Sequence, residues 1–409
     1  VNVVGLFAGI GGLELGLSRS GGRTLLLCEW DAPAQAVLRA RFPEVPVVGD
    51  VRELAELPRD TELVTAGFPC QDLSQAGQTK GIGGERSGLV AEVFRLLERT
   101  AVPNVLLENV PFMLQLAGGS AMRLVTDELG RLGYRWAYRV LDSRAFGLPQ
   151  RRQRVFIFAS RAIDPLAVLF PGDAGDRCPV ERTDQACGFY WTEGERGLGW
   201  AVDAVPTLKG GSTVGIPSPP AIWFPDGRIE TPDIRDMERL QGFAADWTKP
   251  TEGVARATLR FKQVGNAVSV PVAEWVGRQI AAPQGCRCPV GPRVRRDAGR
   301  WPYAAALVDG EIREMTASPF PVAVERPPLA SFLEHPTKPL SLKATAGFLG
   351  RLAKGNLRLA PGFREAIEAH LRRIGGEVPA AATRPAADRP RRGRAKAGSG
   401  VTAPLFEAE

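Results

Sequence analysis

VNVVGLFAGIGGLELGLSR, residues 1–19, decides the fold. Val1–Leu6 is a short apolar run of the kind that forms a buried strand. Phe7-Ala8-Gly9-Ile10-Gly11-Gly12 is a glycine-rich turn, and Leu13–Arg19 continues with helix-like spacing. A turn without side chains between a first strand and a first helix lets backbone approach a cofactor closely. Glu29 ends the next apolar run, Thr24–Cys28, where an acid can accept hydrogen bonds from ribose hydroxyls. Trp30 can cover an adenine face. Asp50, after Val45–Val48, can accept from an adenine amino group. This set fits NAD, FAD or S-adenosylmethionine. Glu14 stands where the dinucleotide pattern has its third glycine, which disfavours the pyrophosphate cofactors. Taken alone, the glycine cluster also fits a turn that merely needs glycine.

Working outward, Leu63–Ala66, Asn104–Leu107 and Val155–Ala159 are further strand candidates. Leu89–Leu97 and Ser120–Leu132 show apolar residues at three- and four-residue spacing between them. Residues 1–160 therefore predict β-α-β units and a parallel sheet with helices on both faces. Residues 161–230 are rich in Gly, Pro and Trp and predict a small irregular β-rich region. Trp191, Trp200 and Trp223 fit core positions better than contacts to nucleic-acid bases. Helical spacing returns at Arg235–Gly242 and at Pro271–Ile280, with proline in its first position. Gly362–Ile374 is an amphipathic helix stopped by Gly375–Gly376. Residues 381–409, rich in Ala, Arg, Pro and Gly, predict a disordered basic tail.

Composition narrows the class. In 409 residues there are 52 Lys+Arg against 45 Asp+Glu, a formal charge of +7. That balance favours a polyanionic partner. Six cysteines fit a reducing compartment rather than a disulfide scaffold. No apolar run is long enough for a membrane span, and no signal peptide is expected, so the location predicted is cytoplasmic. Only His335 and His370 occur, which argues against histidine-centred catalysis and multi-histidine metal sites. Cys178, Cys187, Cys286 and Cys288 lack ordinary zinc spacing, and no metal is expected.

The chemistry is carried by three strings. Gly67-Phe68-Pro69-Cys70-Gln71 follows the strand at Leu63–Ala66, at the carboxyl end where working residues sit in such sheets. Cys70 is a candidate nucleophile there, although a lone cysteine also reads as structural. Glu108-Asn109-Val110 ends the next strand, and a partly buried Glu can hold a proton at neutral pH. Gln150-Arg151-Arg152-Gln153-Arg154 enters the strand at Val155–Ala159. Its guanidiniums can orient Glu108, bind phosphate or hold a base carbonyl, or can form a solvated face.

FAGIGG at 7–12, EW at 29–30, GD at 49–50, GFPCQ at 67–71, ENV at 108–110, QRRQR at 150–154, RLQGF at 239–243 and QVGNAV at 263–268 together resemble the DNA cytosine-5 methyltransferases of bacterial type. The resemblance implies an α/β, Rossmann-like S-adenosylmethionine-dependent methyltransferase domain, a small β-rich target-recognition domain and a C-terminal extension. It implies methyl transfer to carbon 5 of a flipped-out cytosine in a short duplex DNA site, through a covalent Cys70 adduct. Glu108, Asn109, Arg152 and Arg154 match the catalytic set. Phe7, Gly9, Gly11, Glu29, Trp30, Asp50, Val51, Leu89, Asn266 and Ala267 match the cofactor site. Gln71, Ser74, Thr207 and Leu208 match DNA-approaching positions. Asn266 implies that the late chain returns to pack on the first domain.

The boundaries expected are 1–160 for the catalytic domain, completed by 261–283, then 161–260 for target recognition and 284–380 for an accessory region. Arg287, Arg293, Arg295, Arg296 and Arg300 form a basic run that can touch phosphate or be a solvated linker. Double-stranded DNA is the expected partner, with a cognate restriction nuclease or another defence protein open, and a monomer is the family's usual state. An RNA (tRNA) cytosine-5 methyltransferase and a catalytically silent DNA-binding regulator are the rival readings.

Overall fold

The computed structural model describes residues 1–69, 88–176, 184–210 and 217–378. The chain divides into two units. One comprises Val1–Cys178, Thr207–Pro217 and Ile234–Pro327; the other comprises Pro179–Pro206, Ser218–Asp233 and the chain from Pro328 on.

The first unit is built on a ten-stranded sheet. Its strands are β1 (Asn2–Leu6), β2 (Arg23–Cys28), β3 (Val47–Val48), β4 (Leu63–Ala66), β5 (Asn104–Asn109), β6 (Arg135–Asp142), β7 (Gln153–Ser160), β8 (Val290–Arg293), β9 (Ala304–Val308) and β10 (Glu311–Met315). They lie in the order β8-β10-β9-β6-β7-β5-β4-β1-β2-β3. β1 to β5 are parallel, while β7 and the strands beyond it pair antiparallel. The helices of eight or more residues among the described ones are α1 (Gly12–Arg19), α2 (Ala32–Arg41), α3 (Leu89–Arg99), α4 (Ser120–Arg131), α5 (Leu259–Asn266) and α6 (Val270–Ala281), with shorter ones at Pro165–Leu169 and Ile234–Leu240.

Alternation along the strands explains the layers. Val4, Leu6, Val64, Val105 and Leu107 face α3 and α4, which offer Val90, Val93, Leu97, Met122, Val125 and Leu129. Val3, Leu63 and Leu106 point to the opposite face, against Leu13 and Leu17 of α1 and Val272, Val276 and Ile280 of α6. Both faces are apolar because both are covered. Strand order reverses between β1 and β4, so their carboxyl ends bound the crevice where ligands bind in open α/β sheets.

The second unit has a five-stranded sheet, Trp200–Val202, Cys187–Phe189, Ala221–Trp223, Ile229–Thr231 and Lys338–Pro339 in spatial order. Helices Leu342–Lys354 and Phe363–Arg373 belong to it. Phe363 is its centre, 4.9 Å from Phe189, 4.8 Å from Trp200 and 5.5 Å from Trp223, ring centre to ring centre. Trp200 and Trp223 are half-buried and pack against this core. Trp191 donates from Nε1 to the Pro219 carbonyl at 2.9 Å.

Three sequence expectations are corrected. The sheet is mixed, because β7 inserts antiparallel between β5 and β6. β6 escaped notice because Arg135, Arg139 and Asp142 interrupt its apolar pattern. Arg139 is nevertheless fully buried, donating to the carbonyls of Ser318 (2.9 Å), Leu169 (3.1 Å) and Gly172 (2.8 Å) and to Asp173 Oδ1 (3.0 Å). Finally, residues 284–380 form no accessory region of their own. β8, β9 and β10 extend the first unit's sheet, and the chain from Pro328 joins the second unit. The tail at 381–409 lies outside the described residues.

Arg139→Met should destabilise the fold by about 3 kcal/mol, because it leaves buried acceptors without a donor. Urea unfolding measures this, and an unchanged midpoint would show that Arg139 holds nothing in place.

Candidate active site

β5 is buried along its length and delivers Glu108 and Asn109 to the carboxyl end of the sheet. Glu108 Oε1 lies 3.3 Å from Arg154 Nε. Its Oε2 faces Gly67, where an added Cβ would approach it to 3.4 Å. Burial raises the Glu108 pKa above the usual carboxylate value, while the charges of Arg154 and Arg152 oppose the shift. Desolvation is the larger effect, so this is an acid biased toward keeping its proton.

Asn109 ties the neighbouring strand ends together. Its Nδ2 donates to the Phe68 carbonyl at 3.0 Å, and its Oδ1 accepts from Val110 N at 2.9 Å. The turn Gly67–Pro69 after β4 is thereby fixed beside Glu108. Cys70, Gln71 and Ser74 lie outside the described residues, so the structure assigns the turn that leads into Cys70 and not the thiol.

The two arginines of the QRRQR string have different tasks. Arg154 stands at Glu108. Arg152 is buried, with Nη1 donating to the Leu208 carbonyl at 3.1 Å and Nη2 to those of Gly265 (3.1 Å) and Ala267 (2.7 Å). It reaches Glu108 only through its charge. Gln150 is also buried. It accepts from Leu208 N at 3.1 Å and donates to the Leu240 carbonyl at 2.8 Å and to Gln241 Oε1 at 3.1 Å. Gln241 accepts in turn from Ser269 Oγ at 2.7 Å. Thr207 donates to the Arg151 carbonyl at 2.9 Å, and the Leu208 side chain is buried. That pair therefore anchors backbone in this structure; Leu208 offers no side chain to a ligand.

At the other strand end, Phe7 has φ 54°, Gly9 φ 56° and Gly11 φ 81°. A left-handed φ at Phe7 is strained, and such strain gathers at ligand sites. Glu29 holds the turn: Oε2 accepts from Gly9 N at 2.7 Å and Oε1 from Asp31 N at 2.8 Å. Its pKa is raised by burial despite those bonds. Space beside Gly9 is open, with no atom within 4 Å of an added Cβ. Trp30 is 71% exposed, and the Arg52 guanidinium lies 5.8 Å from its ring centre. Asp50 accepts from Arg52 N at 2.9 Å and from Arg52 Nη2 at 2.7 Å, which lowers its pKa. Val51 is buried, and Leu89 begins α3 half-buried against the same core.

The late chain closes over this turn. An added Cβ on Gly12 would meet the Val268 carbonyl at 2.5 Å. Trp247 Nε1 donates to the Ile10 carbonyl at 2.9 Å. Ala267 packs with Ile10 and Phe243, while Asn266 is exposed at the end of α5. The expected return of the chain onto the first domain is thus observed. Among the described residues no group of three or more His, Cys, Asp or Glu could hold a metal, and no helix is long and apolar enough to cross a membrane.

Comparison with known proteins fits this geometry. The family model described as C-5 cytosine-specific DNA methylase matches residues 1–171 and 228–282. The chain belongs to this family. The methylase is 46% identical over 383 residues to Type II methyltransferase M2.BsuMI of Bacillus subtilis (strain 168), covering 90% of this chain and 97% of that one. It is 31% identical to Type II methyltransferase M.BsuFI of Bacillus subtilis, over 67% of this chain and 70% of that one. A solved structure, the S. pombe Dnmt2 methyltransferase, aligns with 69% of this chain and 99% of its own at 15% identity and a TM-score of 0.49. The methylase is a DNA cytosine-5 methyltransferase, and its family implies a methyl-donor cofactor.

Glu14 was read in the sequence only as a missing glycine, yet it is the most buried acid near the turn. It lies under Gly5, accepts from Thr65 Oγ1 at 2.9 Å, and its Oε2 has no hydrogen-bond partner. Burial, with the charge of Glu29, pushes its pKa from 4.5 up to about 7. The native pKa lies above the unfolded one. The stability contributed by the neutral form is therefore complete below pH 4.5 and is lost as pH rises through about 7. Glu14→Gln should remove that dependence, gaining on the native sequence by about 3 kcal/mol between acid and mildly alkaline pH. Urea unfolding at several pH values measures the gap, and a gap that does not change with pH would show that Glu14 does not titrate there.

Proposed function

We propose that this methylase transfers a methyl group from S-adenosylmethionine to carbon 5 of a cytosine flipped out of duplex DNA, with Cys70 as transient covalent nucleophile. Glu108 carries the reading: a buried acid with a raised pKa, paired to Arg154 and set against the turn that leads into Cys70. The Cys70 thiolate adds to carbon 6 of the ring. Glu108 donates its proton or a hydrogen bond to ring nitrogen 3, so that charge arriving in the ring is accommodated as the carbon–sulfur bond forms. Carbon 5 then becomes nucleophilic. Once carbon 5 is methylated, a base removes its proton and the Cys70 thiolate leaves. Arg154 orients Glu108, Asn109 holds the turn at Phe68, and Arg152 fixes the surrounding backbone.

The residues at the first strand ends fit the donor. Open space at Gly9, the acid Glu29, the exposed face of Trp30 and the carboxylate of Asp50 match a cationic nucleoside. Phe7, Gly11, Val51, Leu89, Asn266 and Ala267 complete the set. When bound, S-adenosylmethionine supplies a methyl group on a sulfonium centre, which needs no metal.

The second unit is the target-recognition domain in this reading. Residues 172–227, which carry three of the five strands of its sheet, fall between the two segments matched by the family model. Gln71, Ser74 and Thr207 act at the DNA surface. The likeness to Type II methyltransferases supports a restriction-modification or other defence role, with a nuclease as partner, in the cytoplasm.

Expression in a methylation-free bacterial host, followed by a base-resolution cytosine methylome, should show methylation at one short motif. Cys70→Ala should abolish it while keeping DNA binding; a methylating variant would dismiss Cys70 as nucleophile. Glu108→Gln should lower kcat by about 100-fold or more with little change in DNA affinity. A blank methylome together with methylated tRNA would replace DNA by RNA as substrate, and a blank result on both would leave a silent binder.

A further inference from the structure

We propose that an arginine-lined cavity at the outer edge of the first unit's sheet grips backbone phosphates of duplex DNA beyond the base pairs held at the catalytic centre. The cavity has a volume of about 420 Å³ and is lined by Arg293, Arg295, Arg300, Trp301, Tyr303 and Glu314, among others. It is made by the segment between β8 and β9, which follows the last residue matched by the family model, 282.

Strand direction places it. β6 is antiparallel to β7, which is antiparallel to β5, so β6 runs with β5. β9 is antiparallel to β6, with Ala304 opposite Arg139 and Ala306 opposite Ala137. Trp301, Pro302 and Tyr303, directly before β9, therefore lie at the end of the sheet where β5 delivers Glu108. Trp301 N donates to the carbonyl of Leu114, five residues beyond Asn109, at 2.9 Å. Arg300, next to Trp301, and the catalytic acid thus share one rim of the sheet, whereas β8, with Val290 opposite Met315 and Arg293 opposite Arg313, carries Arg293 and Arg295 along the sheet edge away from that rim.

The segment is held firmly. Trp301 is buried, 6.4 Å from Trp136 and 6.3 Å from Tyr138 between ring centres. Tyr138 Oη donates to the Pro302 carbonyl at 2.8 Å, and Val140 N to the Tyr303 carbonyl at 2.8 Å. Arg123 Nη1 donates to the Arg296 carbonyl at 2.6 Å, and Arg296 pairs with Asp127. A fixed backbone reduces the entropy lost when a charged side chain takes a ligand.

The guanidiniums are held lightly. Arg295 and Arg293 are 78% and 74% exposed, and their acids, Asp297 at 3.3 Å and Glu311 at 3.8 Å, are exposed too. Glu311 is shared with Arg313. Arg300 lies over the Tyr303 ring at 5.3 Å and donates to its hydroxyl at 3.2 Å. Exposed pairs of this kind are worth little, and a phosphodiester matches the planar guanidinium fork with two oxygens. Glu314 in the wall repels an anion and is outnumbered by three arginines there. A run of phosphates leaving the catalytic rim is the anion this arrangement suits. The proposal rests on duplex DNA being the substrate.

The test uses the full chain carrying Arg293→Ala, Arg295→Ala and Arg300→Ala together, with the corresponding triple lysine variant. Binding is followed by fluorescence anisotropy, across a salt series, on a duplex confined to the target site and on one extended well to both sides. For the extended duplex the alanine variant should bind about 10-fold more weakly, and its log K against log salt should be shallower by about 2. The short duplex should bind both proteins alike, and kcat at saturating DNA should not move. The lysine variant should recover the slope, because a point charge still neutralises phosphate. An unchanged slope on the extended duplex would overturn the proposal. So would equal losses on both duplexes, or inorganic phosphate binding that is lost in the variant while the duplex slope is kept. Native protein that methylates DNA in the same buffer keeps a failure here separate from a failure of the catalytic reading.

Discussion

The rest of the first unit depends on one buried charge. Arg152 cannot shed its proton at any pH a protein meets, so its guanidinium must be satisfied where it sits. Its two terminal nitrogens donate to three carbonyls from two distant stretches, at Leu208 and at Gly265 and Ala267. Those bonds collect the strand that carries Arg154, the segment after Thr207 and the late chain that covers the glycine turn. A lysine there has no fork with which to hold three acceptors at once. The neighbouring Gln150, Gln241 and Ser269 complete a polar centre in which each side chain is used. Such a centre specifies one arrangement, because any other leaves a polar group dry and unpaired.

Around that centre the two strand ends are prepared in opposite ways. At β1 the backbone is bent into left-handed conformations and held by Glu29, which leaves open space beside Gly9. At β5 a carboxyl group is withdrawn from water, which raises its pKa, and is given one guanidinium partner, which opposes that rise. The first end is shaped to receive a nucleoside and the second to manage a proton. The sheet's order reversal brings the two ends to one crevice.

Much of this was legible in the sequence, and the reasons differ by element. β1, β4 and β5 were readable because both their faces are buried, so they appear as unbroken apolar runs. α3 and α4 showed their spacing because each buries one face. Glu108, Asn109 and Arg154 were found because they lie beside strand ends in strings with little other purpose. β6 was not legible, since the partners that let Arg139 stand inside it, Asp173 and Ser318, are far along the chain. The task of Arg152 was hidden for the same reason: no local pattern tells a guanidinium that meets a substrate from one that meets backbone. Residues 284–380 read as an accessory region because Arg287 to Arg300 look like a solvated linker, while the edge strand at Val290–Arg293 is short and polar. Glu14 was seen as the absence of glycine, and its burial beneath Gly5 follows only from the tertiary structure.

The packing of α1 on α6 sets a timetable. Gly16 lies so close to α6 that an added Cβ would meet the Ala273 Cβ at 2.5 Å. The partner that buries the inner face of α1 is therefore separated from it in the chain by β2 to β7 and by the second unit's segments at 179–206 and 218–233. At ribosomal speeds of roughly 5–20 residues per second, the glycine turn waits some tens of seconds before its cover emerges. During that time Leu13 and Leu17 are bare apolar surface, and the strained turn has nothing above it. The nascent chain is thus exposed to chaperones and proteases for longest at the very segment that shapes the cofactor crevice, and a crevice able to bind marks a chain whose synthesis has passed α6.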